Sequence, residues 1–372
     1  MADDPRRGTD LGSDLDSVLN LREFEPPARR LIEPAAWDYV AGGAGDEVSL
    51  ARNETAFRSL TFRPRVLVDV SDVNPSASFL GRPTRLPIGI APMAFQHYAH
   101  PDAEPASARA ASRAGALMCL STMSSRSIED VAAASDEAGG GARWFQLYVH
   151  RDRSVSASLV ARAAASGYHA IVVTVDLPIA GVRQRDTRNA FGYPTVFGNF
   201  GHPQAEDADQ RPLAEVIGGF NDASLSWDDL AWLRGLSPLP LVVKGILTPE
   251  DAALAVEHGA AGIVVSNHGG RQLDRTPAAI EVLAEIVDSV AGRAEVYLDG
   301  GVRRAVDVLA SMALGADGVF IGRPMSYALA VGGEAGVARA FEIIERELRI
   351  DMALLGVTRL DQVGRQHIRQ RA

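Results

Sequence analysis

The stretch Gly262–Asp274, GIVVSNHGGRQLD, decides how the chain is read. It opens as a short apolar run of strand type, Ile263 to Val265, and breaks into Ser266, Asn267, His268, two glycines and Arg271. An apolar strand that ends in a polar tip and a glycine turn delivers a site instead of filling a core. His268 can exchange a proton near neutral pH, and Arg271 can grip a carboxylate with its two-pronged guanidinium. The paired glycines let the backbone come close to a ligand.

Outward from this stretch the same beat repeats. Strand-like runs fall at 86–92, 116–121, 144–149, 170–176, 239–245, 262–266, 295–300 and 318–322. Ala-rich amphipathic stretches lie between most of them, at 103–114, 128–138, 155–165, 249–258, 277–290 and 303–314. Eight strands alternating with helices over roughly 250 residues predict an α/β protein, a (β/α)8 TIM barrel. A doubly wound open sheet is the runner-up, but it seldom reaches eight even units. A barrel requires reactive residues at the C-terminal strand ends. Those ends carry Pro92, Met93 and Ala94; Ser121; Gln146 and Tyr148; Thr174 and Asp176; Lys244; Ser266 and His268; Asp299, Gly301 and Arg303; Gly322 and Arg323.

Residues 1–20 read as a frayed tail, and 21–372 as a single barrel domain that begins with a helical segment to about residue 56. Tyr39 stands near a helix end there. Segments 62–70 and 77–80 look like extended pieces that lid the barrel bottom. The loop after strand 4, about 177–225, is long and rich in Gly, Asn, Asp and Pro, the character of a lid. Its acidic stretch 204–210 argues against membrane docking.

Composition narrows the function. With 37 basic and 47 acidic residues the net charge is −10, which disfavours nucleic-acid and anionic-membrane partners. No apolar run nears the ~20 residues of a membrane span, and no signal-peptide core is present, so a cytoplasmic protein is expected. Cys119 is the only cysteine, and the histidines lack ligand spacing, so no metal is expected. Of the 37 basic residues Lys244 is the sole lysine, leaving 36 arginines. A compact ammonium at a strand end is a functional choice.

The strand ends also suggest a cofactor. LDGGVRR (298–304) and FIGRP (320–324) bring amides and arginines to the loops after strands 7 and 8, a phosphate cradle. Asp299 suits a polyol chain, Gln146 and Thr174 a heterocycle edge, and Lys244 an anionic ring. FMN satisfies this set best. A flavin-free barrel binding a sugar phosphate explains the cradle but leaves Gln146, Lys244, His268 and Arg271 without joint purpose.

The ordered motifs FRPR, APMA, FQLY, TVD, VVKG, SNHGGRQLD, LDGGVRR and IGRP resemble the FMN-dependent 2-hydroxy acid oxidases and dehydrogenases, over residues 37–323 and beyond. The resemblance implies that His268 is the catalytic base and Asp176 its charge partner, raising the imidazole pKa. It implies Arg271 and Arg183 on the substrate carboxylate, with Tyr39 and Tyr148 as hydrogen-bond donors. Lys244, Pro92, Met93, Ala94, Ser121, Gln146, Thr174 and Ser266 would surround the ring, and Asp299, Gly301, Arg303, Gly322 and Arg323 the ribityl phosphate. Met123, Ala180 and Val40 stand where glycolate-oxidising relatives carry larger groups, and Val182 replaces the first arginine of their Arg-Arg pair. These departures imply a roomier pocket for an aromatic, mandelate-like, or long-chain (S)-2-hydroxy acid. Electrons are expected to pass to dioxygen, giving hydrogen peroxide, because the chain shows no haem domain and carries Ala94. A dehydrogenase using a quinone or cytochrome is the alternative. The resemblance further implies a homo-oligomer, a tetramer.

Overall fold

The computed structural model describes residues 15–192, 197–200 and 220–370. Eight parallel strands close into a barrel: β1 (Ile88–Ile90), β2 (Leu117–Ser121), β3 (Arg143–Leu147), β4 (Ile171–Thr174), β5 (Leu241–Ile246), β6 (Gly262–Val265), β7 (Glu295–Asp299) and β8 (Gly318–Ile321). β8 pairs with β1 to complete the ring. Most positions on these strands are buried, which is why they read as near-continuous apolar runs instead of alternating ones.

The helices between strands form where the sequence places them, and their starts are capped locally. Ser127 Oγ accepts the Asp130 amide at 3.0 Å ahead of helix Ile128–Glu137. Thr248 Oγ1 accepts the Asp251 amide at 3.2 Å ahead of Pro249–Glu257, whose proline opens the helix. One long helix, Arg323–Leu355, follows β8 and is broken at Gly332–Gly333.

The barrel bottom is sealed as the extended reading of 77–80 expects. A hairpin of Ala77–Phe79 and Arg82–Thr84 inserts Phe79 beneath the strands. Its ring stacks on Tyr297 at 5.3 Å and meets Trp144 and Phe320 edge-on at 5.7 and 5.9 Å. Gly318 leaves room for it, since a Cβ there would lie 2.7 Å from the Phe79 ring.

The expected tail ends earlier than residue 20. Leu15–Ser17 forms a 3-10 turn, Val18 is buried, and Arg339 donates to the Asp16 and Val18 carbonyls. Residues 1–14 lie outside the described set, as does the acidic stretch 204–210 of the long loop. Within that loop, Gln184–Arg188 is helical and docks on helix Pro34–Ala41 through Arg185 and Asn189, which donate to Asp38 at 3.5 and 2.8 Å; Arg185 also bonds Glu47, ahead of the next helix, at 2.5 Å. No helix among the described residues is long and apolar enough to cross a membrane.

Replacing Phe79 by Ala is expected to cost about 3–5 kcal/mol through the cavity it leaves. Thermal unfolding followed by circular dichroism checks this; an unchanged midpoint would show that the plug is dispensable.

Candidate active site

A cavity opens at the C-terminal mouth of the barrel. Its walls hold five cationic side chains, Arg183, Lys244, Arg271, Arg303 and Arg323, alongside His268, Tyr39 and Tyr148. Pro92, Met93, Ala94, Met123, Thr174, Asp299, Gly301 and Gly322 complete the sequence-predicted part of the lining. Asp176, Ser121, Gln146 and Ser266 stand one layer behind. Gln146 donates from Nε2 to Thr174 Oγ1 at 3.0 Å, and its Oε1 accepts from Ser121 Oγ and the Thr122 amide, both at 3.2 Å. Ser266 Oγ accepts from Lys244 Nζ at 3.0 Å.

Ala180 is not part of this lining and is partly exposed. That corrects its assignment to the substrate pocket. The backbone of the next residue, Gly181, is pressed onto residues 271–272, where a Cβ would sit 2.4 Å from the Arg271 carbonyl.

His268 follows β6 on a turn of three consecutive left-handed residues, φ +57° for His268, +64° for Gly269 and +73° for Gly270. A left-handed histidine is strained and needs outside support. Asn267 provides it by accepting the Gly270 amide at 3.1 Å while sharing a reciprocal pair of 2.8 Å amide bonds with Asn53. Asp274 adds a second tie: its carboxylate accepts the Ser49 amide at 2.8 Å and the Asp46 amide at 3.0 Å, capping helix Val48–Thr55.

The imidazole Nδ1 lies 2.7 Å from Asp176 Oδ1, leaving Nε2 toward the cavity, 3.5 Å from the Tyr148 hydroxyl. Burial pushes the imidazole below its ordinary value; Asp176 pulls it up, but Lys244 and Arg183 push it down again. Asp176 raises the imidazole as expected, but desolvation outweighs it and the net direction is down. Burial pushes the Asp176 carboxyl up, yet His268 and Lys244 hold it below the usual range. The pair rests as neutral imidazole beside carboxylate, the state a proton acceptor requires.

Arg183 and Arg323 are pushed down to about 10 and about 9 by burial and by repulsion from Arg271. Arg323 holds the Val40, Gly42 and Gly269 carbonyls, and Arg271 holds those of Tyr39 and Gly42 while lying 5.0 Å from the Tyr39 ring centre. Lys244 behaves oppositely. Burial disfavours its charge, but Asp299, 3.2 Å away, and Asp176 raise it.

The residues fit FMN. Asp299 Oδ1 is buried without a partner among the described residues, as a polyol hydroxyl would need. Gly301 sits at φ +85°, and a Cβ there would lie 1.9 Å from the Asn53 carbonyl, so bare backbone must face the cavity. The Arg303 and Arg304 amides are spent on Asp307, so the cradle after β7 relies on Gly300, Gly301 and the Arg303 side chain.

Sequence reading missed the supports contributed by helix Val48–Thr55: Asn53 and also Glu54, which bonds Arg303 at 2.9 Å. A helical run carries no local sign of partners more than 200 positions away. No cluster of three or more His, Cys, Asp or Glu able to hold a metal occurs among the described residues.

Fold and site together define a barrel whose mouth gathers cationic side chains around a buried acid–base pair. Residues 28–370 match the FMN-dependent dehydrogenase family, and the chain belongs to it. It is 47% identical over 359 residues to an L-lactate oxidase of Nostoc sp., covering 94% of this chain and 97% of that one. It is 46% identical over 356 residues to glycolate oxidase of Spinacia oleracea, covering 94% and 95%. The solved structure of mandelate oxidase with (S)-4-hydroxymandelic acid superposes with a TM-score of 0.88 at 41% identity, covering 95% and 98%. The chain is thus an FMN-dependent enzyme of the 2-hydroxy acid oxidase family.

In holoenzyme, kcat/KM is expected to fall on the acid side with a midpoint below the ordinary histidine value of 6.5, because His268 must be neutral to act and its pKa is lowered. His268→Ala should lose this limb together with turnover while the protein stays folded and yellow; concurrent loss of flavin absorbance would contradict the assigned role.

Proposed function

We propose that the protein oxidises an (S)-2-hydroxy acid to its 2-keto acid and passes the electrons to dioxygen, releasing hydrogen peroxide. The observation that carries this reading is the placement of two arginines and the Asp176–His268 pair around one cavity. Arg183 and Arg271 would clamp the substrate carboxylate, helped by Tyr39 and Tyr148, and so orient the α-carbon. His268 Nε2 would take the hydroxyl proton, and Asp176 would stabilise the resulting imidazolium. FMN, held by Asp299, Arg303, Arg323 and the glycine backbones, with Lys244 near the ring, supplies the two-electron acceptor.

The substrate is proposed to be larger than glycolate, aromatic or long-chain. Val40 and Met123 line the cavity, and Met is soft enough to yield to a bulky side chain. Ala180 no longer contributes to this argument. A second reading, a lactate-sized substrate, is favoured by the 47% identity to the Nostoc oxidase. Cytoplasmic location and a tetrameric assembly belong to the proposal as well. Exposed Val66, Leu67 and Val68 supply apolar surface suited to a subunit contact.

A panel of glycolate, L-lactate, (S)-mandelate and 2-hydroxyoctanoate, assayed under air for keto acid and peroxide together, tests the reading. Higher kcat/KM for mandelate or hydroxyoctanoate with stoichiometric peroxide is expected. Preference for glycolate would overturn the pocket argument, and turnover without peroxide would overturn the acceptor.

A further inference from the structure

A second cavity lies beside the catalytic one, between the ends of β4 and β5 and the segment 221–230. The two share Tyr148, Thr174 and Leu177 as a common wall. Their electrostatics are opposite. Five cations line the catalytic cavity, whereas the described lining of the second contains no Arg, Lys or His. Val149, Val175, Leu225, Trp227, Leu230 and Ile246 make its lining more apolar than polar, and its carboxylates are Asp222 and Asp251. Arg153, which reaches that rim, is committed to Asp222 at 2.7 Å and to Asp229 at 3.0 Å.

A hydroxy acid or keto acid carries a carboxylate, which such a compartment repels and cannot solvate. A small neutral apolar molecule meets no such barrier. The wall of the cavity carries a local irregularity: the β5–β6 register shifts between Lys244 and Ile246, and Gly245 sits at φ +114° where a Cβ would strike Asp176.

We propose that this cavity is the reservoir and route for dioxygen, separate from the cationic mouth that admits the substrate. The inference rests on the oxidase reading. Each oxygen molecule takes the two electrons removed from the substrate, gains two protons and leaves as neutral hydrogen peroxide. It reaches the catalytic side through the Tyr148–Thr174–Leu177 wall. Leu225, partly buried and remote from His268, Lys244 and the arginines of the site, is the position at which to fill the space.

Crystals of the holoenzyme pressurised with xenon should show xenon in this cavity, and Leu225→Trp should exclude it. Holoenzyme reduced anaerobically by substrate and mixed with oxygen should reoxidise severalfold more slowly in Leu225→Trp and by an intermediate factor in Leu225→Phe. The anaerobic reduction rate should stay unchanged in both. Unfilled wild-type cavities, or variants that exclude xenon yet reoxidise at the wild-type rate, would overturn the inference alone. Wild-type enzyme that oxygen fails to reoxidise would overturn the oxidase reading and this inference with it.

Discussion

Positive charge that the protein neutralises only in part is the constraint on which the rest of this structure depends. Arg183, Lys244, Arg271, Arg303 and Arg323 converge on one cavity whose described lining holds a single carboxylate, Asp299. Lys244 pairs with it and Arg303 with Glu54 from outside the lining, while Arg183, Arg271 and Arg323 have no salt bridge of their own among the described residues. The strain is visible in Arg183 and Arg323, which burial and a neighbouring guanidinium push down to about 10 and about 9. Such an arrangement is costly in an empty site and favourable once anions arrive. A cofactor phosphate and a substrate carboxylate are two anions of the required kind, and they would enter from different sides of the same barrel mouth.

The scaffold holds this charge by tying the barrel mouth to the chain's beginning. Helix Val48–Thr55 is capped by Asp274, and its Asn53 braces Asn267 beneath the strained His268 turn. The next residue, Glu54, bonds Arg303, so one helix steadies both the His268 turn and the Arg303 side chain. Helix Gln184–Arg188, carrying the Arg183 end of the long loop, is fastened to the helix bearing Tyr39 through Arg185 and Asn189. The substrate-facing residues therefore come from three chain regions held by ion pairs and amide bonds. Reactive groups on barrel strand ends gain precision from such supports.

Much of this was legible in the sequence because barrel strands announce themselves. Each is a short apolar run ending in polar residues, and His268, Lys244, Thr174 and Asp299 stand at those ends in order. What was not legible depends on packing. Asn53 and Asn267 are 214 positions apart, and nothing local marks them as partners. The direction of the His268 shift turned on whether burial or Asp176 prevails, a balance that spacing cannot supply. Ala180 looked like a pocket residue by position, but it is partly exposed and outside the cavity lining. The long last helix escaped notice because Gly332–Gly333 interrupts its period.

The central claim is that the cavity's convergent cations, only partly paired within the protein, are there to hold anions, and the cofactor phosphate tests it most directly. Apoprotein should be titrated with FMN and with riboflavin, which differs only by the missing phosphate, following flavin fluorescence at low and high salt. The account predicts that FMN binds far more tightly than riboflavin and that added salt narrows the gap. Equal affinity for the two flavins would contradict it, for then the arginines would hold no phosphate.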